Sequence, residues 1–444
     1  MTTINLSKLS RVHFVGIGGV AMSAVARMLL GRGVAVSGSD RSSSPLIEQL
    51  ARAGAAITIG HSARAIPADC DLVVYTVAIP ANNAELVEAA RRTLPTATYP
   101  EMLEIISAEK YTVAVAGTHG KTTTTAMLGS ILIQAGLDPS VLVGGLMLDP
   151  RRETGAADFE KEGTNFILGK SDYFVVEADE YKKSFLHLKP RLLIINNIDA
   201  DHLDFYKDLA DVQSAFAELA ERVPADGFII CDPSDAHVAP VIKKVAGRIV
   251  EYPQQPIPTL RIPGAHNRAN AMAAAAAAKI LGASENAIAE GLKNFPGSWR
   301  RFQYKGETSS GALVYDDYAH NPPKVAAAIA GARERHPGQS LTVVFQPHLY
   351  SRTKHLFKEF VRALAGADHV VLLPIYAARE QLDPSISSDM LAGAISEAAP
   401  KVTVTVCANA VAAKKYLIGR LVADDVVVTT GAGDVTELAD ILIE

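Results

Sequence analysis

Residues 111–126 read YTVAVAGTHGKTTTTA, in which an apolar, β-branched run is followed directly by a glycine-rich loop and a segment that favours a helix. This order is typical of a phosphate-binding loop, because the backbone N–H groups that open the helix face the phosphates. We expect Lys121 to face solvent and neutralise phosphate oxygens, and the Thr122 hydroxyl to ligate Mg²⁺. The loop is a variant, since the usual G-x-x-x-x-G-K-T spacing requires a glycine where the chain has Val115. The alternative is an ordinary turn with a surface lysine.

Short β-branched runs alternate with Ala- and Leu-rich stretches along the rest of the chain, which predicts an α/β fold with parallel sheets. At about 150 residues per domain, 444 residues predict roughly three domains. New strands open after residue 109 and after residue 298, so we place the domains at 1–109, 110–298 and 299–444. The polar stretch from Asp149 to Gly169 is predicted to be a mobile loop.

Composition and charge exclude several classes of protein. The chain has 43 Lys and Arg against 48 Asp and Glu, so it has no general basic field for nucleic acid or an anionic membrane surface. The three cysteines lie far apart without metal-site spacing, and no uncharged apolar run reaches the roughly 18 residues that span a bilayer. We therefore expect a cytoplasmic protein that binds neither nucleic acid nor membrane.

Acidic residues and a histidine follow two apolar runs in the predicted central domain. Glu177 ends one predicted strand, and His202 follows the next within the sequence NNIDADHLD. The carboxyl ends of parallel strands share one edge of a sheet with the phosphate loop, so these side chains are predicted to join Thr122 as Mg²⁺ ligands. The alternative is a set of solvated loop acids and a structural histidine. Further along, Asn267 and Asn270 open a predicted helix and could contact an adenine edge or cap that helix.

The N-terminal domain opens with a second glycine-rich turn. Gly16, Gly18 and Gly19 follow the first predicted strand, and Asp40 ends the second. This pattern allows a diphosphate to approach the backbone, but a nicotinamide dinucleotide and a nucleotide-sugar would both satisfy it. Tight packing of a helix on a strand, without a ligand, is the structural alternative.

The C-terminal domain carries two polar clusters, DDYAHNP at 316–322 and QPHLYSR at 346–352, each directly after an apolar run. Arg352 can bind a carboxylate or phosphate through two parallel hydrogen bonds, and His320 and His348 can contact a small polar ligand. The alternative is a structural role for these side chains.

Taken together, these motifs resemble the Mur ligases, and most closely the branch that adds L-alanine to UDP-N-acetylmuramate. The resemblance covers nearly the whole chain and implies a Rossmann-like N-terminal domain, a central P-loop ATPase-type domain and a Rossmann-like C-terminal domain. The matching strings, in family order, are HFVGIGGVAMSAVA, SGSD, AVAGTHGKTTTT, EADEYKKSFLHLKP, NNIDADHLD, GAHNRANAMAA, FPGSWRRF, YDDYAHNP, FQPHLYSRTK and LLPIYAAREQ.

The resemblance also implies a role for each matching residue. It assigns ATP binding to Gly117, Thr118, His119, Gly120, Lys121, Thr122, Thr123, Asn270, Arg301 and Asp316. It assigns binding of the UDP-linked substrate to Gly16, Gly18, Gly19, Asp40, His202 and Arg352. It assigns metal binding to Thr122, Glu177 and His202. It assigns binding of the amino acid to Tyr318, His320 and His348. It assigns catalysis to Lys121, His320, His348 and Arg352.

The implied reaction is ATP-dependent amide formation through an acyl phosphate, with Mg²⁺, in peptidoglycan precursor synthesis. The implied partners are UDP-N-acetylmuramate and L-alanine, in a monomer or homodimer. His320 or His348 would take the amine proton, and the sequence does not choose between them. The chain departs from the family's usual DDY-G/A-HHP and QPHRY patterns at Asn321 and Leu349, which leaves the shape of the amino-acid pocket open.

Three other functions remain open at this point. A recycling ligase would attach L-alanyl-γ-D-glutamyl-diaminopimelate to the same nucleotide, but FQPH stands here where that branch has FEPR. A nicotinamide-dependent oxidoreductase would leave the phosphate loop without a role. A non-catalytic nucleotide sensor would not need the third domain with its two histidines.

Overall fold

A computed structural model describes residues 4–76, 78–151, 159, 163–203 and 205–444. It contains three sheets in chain order, each built mainly of parallel strands joined through helices. The predicted α/β class is confirmed. No helix among these residues is long and apolar enough to cross a membrane.

The first sheet has five strands, all parallel, in the order β3-β2-β1-β4-β5. Its strands are β1 (Arg11–Val15), β2 (Ala35–Asp40), β3 (Ala56–Ile59), β4 (Leu72–Tyr75) and β5 (Thr96–Thr98). Its helices are α1 (Val20–Gly31), α2 (Pro45–Arg52), α3 (Ala84–Arg91) and α4 (Tyr99–Glu109), with 3₁₀ turns at Leu6–Lys8 and Ala63–Ala65. The glycine-rich turn after the central strand β1 therefore opens at the carboxyl edge of this sheet.

The second sheet has seven strands in the order β12-β11-β10-β6-β9-β7-β8. Its strands are β6 (Tyr111–Ala116), β7 (Ser140–Met147), β8 (Thr164–Ile167), β9 (Tyr173–Glu177), β10 (Leu192–Ile195), β11 (Phe228–Cys231) and β12 (Arg248–Glu251). Its helices are α5 (Lys121–Gln134), α6 (Leu209–Ala220), α7 (Ala265–Ile280) and α8 (Glu285–Lys293), with a 3₁₀ segment at Tyr181–His187. β6 lies between β10 and β9, so the loops after these three strands meet at one edge.

Strand β8 corrects the prediction of a loop from Asp149 to Gly169. It pairs antiparallel with β7 at the edge of the second sheet. It also packs on helix α1, where Arg27 donates to the Thr164 hydroxyl at 2.6 Å and the Asn165 side chain is buried. Residues 152–158 and 160–162 of the predicted loop lie outside the described residues.

The third sheet has six strands in the order β13-β14-β18-β15-β16-β17, and β13 pairs antiparallel with β14. Its strands are β13 (Gln303–Glu307), β14 (Leu313–Asp317), β15 (Leu341–Phe345), β16 (His369–Leu372), β17 (Thr403–Val406) and β18 (Val426–Thr430). Its helices are α9 (Pro322–Arg335), α10 (Tyr350–His355), α11 (Phe357–Leu364), α12 (Ser388–Ala398), α13 (Ala410–Ile418) and α14 (Val435–Ile443).

Packing divides the chain into two compact units. One contains Met1–Leu260 and Arg268–Pro296, with the first two sheets; the other contains Arg261–Asn267 and Gly297–Glu444, with the third. A continuous cluster of buried apolar side chains runs through the first unit, and separate clusters cover parts of the third sheet. The domain limits at residues 109 and 298 stay predictions.

Candidate functional site

The phosphate loop turns sharply between β6 and α5. Gly120 caps the helix with φ +83°, a left-handed conformation that favours glycine. A Cβ at this position would also collide with the Asn270 amide oxygen. The first backbone N–H groups of α5 are therefore presented without a side-chain cap, as an anion site at a helix N-terminus requires.

Lys121 does not face solvent as predicted. Its ammonium donates to the Gly117 carbonyl at 2.6 Å and to the two Glu180 carboxylate oxygens at 2.7 and 3.0 Å. The side chains of Lys121 and Glu180 are 13% and 3% exposed. Burial raises the pKa of Glu180, and the charge of Lys121 opposes that shift. The ion pair thus holds the lysine ammonium beside the loop backbone.

Two groups of candidate metal ligands lie next to the loop. The Thr122 hydroxyl donates to Glu177 at 3.0 Å, and the Gly144 N–H donates to the other Glu177 oxygen at 2.6 Å. Separately, ligand atoms of Asp179, Glu180 and His202 lie within 4.8 Å of one another. The structure thus brings Thr122 to Glu177, and brings His202 to Glu180, at 3.7 Å. The hard oxygens of Thr122 and Glu177 fit Mg²⁺, whereas the second group adds a histidine nitrogen to its two carboxylates.

Two consecutive asparagines after β10 hold the outer part of the loop. The Asn197 side chain accepts from the His119 N–H at 2.8 Å, and its amide donates to the His119 carbonyl at 3.2 Å. Asn196 donates to the same carbonyl at 3.2 Å, and the Thr118 hydroxyl accepts from the Asp199 N–H at 2.8 Å. Sequence reasoning assigned no role to these asparagines, although their position after a buried strand on this edge was a signal.

The remaining predicted ATP ligands of this unit lie close by. Asn270 is 4% exposed and lies against Gly120, which places the helix α7 amide beside the loop. Asn267, three residues earlier, donates to the Pro263 carbonyl at 2.6 Å and is therefore engaged with its own segment. Thr123 is a buried residue of α5, so its side chain lies in the core. The assignments of Asn270 and Thr123 to ATP stay predictions.

The glycine turn of the first sheet encloses Asp40. The Gly18 N–H donates to one Asp40 oxygen at 2.8 Å, and the Arg41 N–H donates to the other at 2.7 Å. Gly16 has φ +83°, and Gly19 begins α1 without a side-chain cap. Asp40 therefore stabilises the turn through backbone donors, while the open end of α1 remains available to a phosphate.

The second unit brings together four predicted residues at the carboxyl edge of the third sheet. The rings of Tyr318 and His320 lie 5.2 Å apart, and those of His320 and His348 lie 6.2 Å apart. Arg352 donates to His348 Nδ1 at 3.1 Å. The Arg301 guanidinium lies 5.7 Å from the Tyr318 ring. Tyr376, which the sequence did not identify, stacks on His348 at 5.6 Å.

Hydrogen bonds assign different tautomers to the two histidines. His320 Nδ1 lies 2.8 Å from the Tyr318 carbonyl, which can only accept, so this nitrogen carries the proton and Nε2 has a lone pair. His348 Nδ1 accepts from Arg352, so its proton is on Nε2. Burial, with positive charge nearby, lowers the pKa of His320 to about 3, and burial lowers the pKa of His348. Both rings are neutral. His320 can accept a hydrogen bond at Nε2, whereas His348 can donate one at that atom.

Asp316 does not lie at an open edge. It is fully buried, and its carboxylate accepts from Arg300 at 2.7 Å, Thr429 at 2.6 Å and Thr436 at 2.9 Å. Its ion pair with Arg300 stabilises the segment that carries Arg301, and its assignment to ATP stays a prediction. Sequence reasoning did not identify Arg300 as the partner.

The two departures from the family pattern have different structural roles. Asn321 caps α9, where its side chain accepts from the Lys324 N–H at 3.1 Å. Leu349 begins α10 with φ +72°, and its N–H donates to the Tyr376 carbonyl at 2.9 Å. Leu349 also lines a pocket with His348 and Arg352.

Comparisons with known proteins agree with this architecture. A family model described as "Mur ligase family, catalytic domain" matches residues 11–111, "Mur ligase middle domain" matches 115–256, and "Mur ligase, glutamate ligase domain" matches 300–433. A protein named UDP-N-acetylmuramate–L-alanine ligase from Clostridium kluyveri is 39% identical, covering 98% of both chains. One of the same name from Clostridium novyi is 40% identical, covering 98% of this chain and 97% of its own.

Solved structures give the same result. UDP-N-acetylmuramate-alanine ligase from Thermotoga maritima superimposes with a TM-score of 0.75 at 26% identity, covering 98% of both chains. A murein peptide ligase from Psychrobacter arcticus shares the fold, with a TM-score of 0.64 at 24% identity over the same coverage. The three-domain prediction is confirmed, and the chain belongs to the Mur ligase family.

Proposed function

We propose that this Mur ligase joins the lactyl carboxylate of UDP-N-acetylmuramate to L-alanine and converts ATP to ADP and phosphate. The observation that carries the proposal is the phosphate loop, in which the N-terminus of α5 and the Lys121 ammonium converge. The names and full-length similarity of the clostridial proteins support the choice of substrates. A nicotinamide-dependent reaction would not use this loop.

The first step transfers a phosphoryl group. A carboxylate oxygen of UDP-N-acetylmuramate bonds to the γ-phosphorus of ATP, and the bond from that phosphorus to the ADP oxygen breaks. Lys121 and the first N–H groups of α5 stabilise the charge that spreads over the phosphoryl oxygens. The products of this step are an acyl phosphate and ADP.

The second step forms the amide. The amine nitrogen of L-alanine bonds to the acyl carbon, and the carbon–oxygen bond to phosphate breaks after a tetrahedral intermediate. Of the two histidines, His320 has the free lone pair on Nε2, so we propose that it accepts the proton of the attacking amine. His348 offers an N–H at Nε2 and Arg352 offers a positive charge, so both can bind an anionic oxygen.

Magnesium would be held by Thr122 and Glu177, or by Asp179, Glu180 and His202, since both sets supply suitable donors. When bound, it would neutralise phosphate charge. Glu177 already accepts a hydrogen bond from Thr122, which holds the hydroxyl beside that carboxylate.

The biological setting follows from this reaction. We assign the enzyme to peptidoglycan precursor synthesis, and thus to cell-wall biogenesis, cell shape and division. The described cysteines, Cys70, Cys231 and Cys407, are all buried free thiols, which agrees with the cytoplasm as a reducing compartment. We infer a monomer or a homodimer.

The test is release of phosphate from ATP by the purified chain. Release should require both UDP-N-acetylmuramate and L-alanine, and the nucleotide product should gain the mass of one alanine residue. Release that is independent of either substrate, or a product without the added residue, would overturn the proposal.

A further inference from the structure

A pocket of about 500 Å³ opens beside the histidine pair of the second unit. Its lining residues are His348, Leu349, Arg352, Tyr376, Ala378 and Arg379. We propose that Arg379 binds the carboxylate of the acceptor amino acid. This inference rests on the proposed function, because it names the residue that would hold L-alanine in that reaction.

The two guanidinium groups of the pocket differ in their partners. Arg352 already donates to His348 Nδ1. The Arg379 side chain makes no hydrogen bond or ion pair with any residue in the described part of the chain, although its charge reaches His348 and contributes to lowering the pKa of that imidazole. Arg379 therefore has its guanidinium donors available for a planar anion such as a carboxylate.

The neighbouring acid Glu380 offsets only part of this positive charge, although its carboxylate also acts on His348 and opposes the lowering of the pKa of that imidazole. Glu380 follows Arg379 directly, but its carboxylate accepts hydrogen bonds from the Ser351 N–H at 3.1 Å and from the Ser351 hydroxyl. Glu380 is thereby held against the start of α10, where it fixes the helix that carries Arg352. The pocket keeps a net positive charge, as recognition of a carboxylate requires.

Arg379 and Leu349 line the same pocket from two facing segments of the chain. Leu349 contributes an apolar side chain and no charge to this pocket. The backbones of residues 348–349 and Tyr376 are joined by a bridge and by the 2.9 Å hydrogen bond from Leu349 to Tyr376. The Arg379 cation, three residues after Tyr376, therefore reaches the pocket from the facing segment and supplies a charge that Leu349 does not.

The remaining lining suits a small, neutral amino acid. Leu349 supplies an apolar surface, and Tyr376 stacks on His348 to close another side. No carboxylate lines the pocket, so a cationic side chain on the acceptor would have no partner there. The chemistry therefore favours an α-amino acid with a short apolar side chain.

The experiment compares Arg379→Met with the wild-type enzyme in steady-state kinetics. The KM for L-alanine should rise by about tenfold to a hundredfold, because a charge-assisted hydrogen bond is lost, while kcat stays within about twofold. The KM values for ATP and UDP-N-acetylmuramate should be unchanged. Arg362→Met, an exposed arginine on α11, is the matched control and should leave all constants unchanged.

Two further measurements separate carboxylate binding from a general effect of charge. Leu349→Arg in the Arg379→Met background should restore the KM for L-alanine, because it returns a cation to the same pocket. L-Alaninamide, which lacks the carboxylate, should be used equally poorly by the wild type and Arg379→Met. The inference is contradicted if Leu349→Arg fails to lower the KM for L-alanine and Arg379→Met impairs the use of L-alaninamide more than that of L-alanine.

The outcomes distinguish this inference from the proposed function. If the wild-type enzyme turns over L-alanine and the KM for L-alanine is unchanged in Arg379→Met, the inference is overturned and the proposed function stands. A rise in the KM for UDP-N-acetylmuramate or ATP instead would assign Arg379 to a phosphate and also overturn it. No L-alanine-dependent turnover in the wild type would overturn both.

Discussion

Lys121 forms a buried ion pair and, in the proposed reaction, also stabilises the transferred phosphoryl group. Its ammonium lies between the loop carbonyl of Gly117 and the buried Glu180 carboxylate. The ion pair joins the loop to the segment after β9, 59 positions further along the chain. Loss of either partner leaves the other charge buried, so a single substitution changes folding and catalysis together.

We therefore predict two separable effects of substituting Lys121. Lys121→Ala should lower kcat by about a hundredfold or more and destabilise the fold by about 3–5 kcal/mol, because Glu180 loses its partner. The double variant Lys121→Met with Glu180→Gln should recover most of the thermal stability but not the turnover. Turnover near the wild-type level in the folded double variant would remove Lys121 from the mechanism.

A second prediction concerns the pH dependence of His320. Because the pKa of His320 is lowered to about 3, its ring stays neutral and able to accept a proton above about pH 4. The pH profile of kcat/KM, which reports the free enzyme, should show no acid limb from His320 between about pH 5 and pH 8. His320→Gln should lower kcat by about 10²- to 10⁴-fold across this range.

The control for this measurement is His369→Gln, at the exposed start of β16 and thus the opposite end of the strands from the site. It should leave the profile unchanged. A wild-type acid limb near pH 6.5 that disappears in His320→Gln would contradict the shifted titration.

At the scale of elements, a buried polar network joins strands β1 and β2 to helix α3 and to the segment after β3. Glu85, at the start of α3, is fully buried and accepts from His13 at 3.1 Å, from Ser39 at 2.7 Å and from the Ser62 N–H at 2.9 Å. Ser39 also lies 2.9 Å from His61. The network ties β1 and β2 to the segment after β3, directly before the glycine turn.

We predict that Glu85→Ala destabilises this domain by about 3 kcal/mol or more, because His13 and two further donors lose their acceptor in the core. Hydrogen exchange of the β1 and β2 amides measures the effect within the domain. Glu88→Ala, one turn later and paired with Arg91 at the surface, is the control and should change the exchange far less. Equal protection in the two variants would show that the network does not stabilise the strands.

Elements were predictable where burial and composition agree. The central strands β1, β6 and β10 are buried and rich in β-branched residues, and their positions follow from the sequence within one or two residues. The polar strand β8 was missed because it forms only against β7 and α1. Strand β18 was also missed, although its run VVVTT between Asp425 and Gly431 carried a clear signal.

At the scale of the whole molecule, motif positions were easier to predict than side-chain pairings. The strand ends that carry Lys121, Glu177, His320 and Arg352 were identified from the sequence. The pairing of Lys121 with Glu180 depends on β6 lying beside β9, and the choice of His320 as the base depends on two hydrogen bonds. Such contacts depend on sheet order and register, which composition and spacing do not determine.

The N-terminal domain should distinguish a uridine nucleotide from a nicotinamide dinucleotide. Asp40 accepts two backbone N–H groups and keeps lone pairs for the ribose of either nucleotide, so the expectation of a uridine nucleotide rests on the proposed function. UDP-N-acetylmuramate should therefore raise the melting temperature by mass action, and NAD⁺ at the same concentration should not. Equal stabilisation by NAD⁺ would overturn the assignment of this turn.

The measurement that most directly tests the central claim is kcat/KM for four acceptors: L-alanine, glycine, L-serine and L-alanyl-γ-D-glutamyl-diaminopimelate. We predict that L-alanine is preferred, with glycine and L-serine used about tenfold to a few hundredfold less well, since one methyl or one hydroxyl changes binding modestly. The tripeptide should be inactive. A preference for the tripeptide would contradict the account and place the chain in the recycling branch.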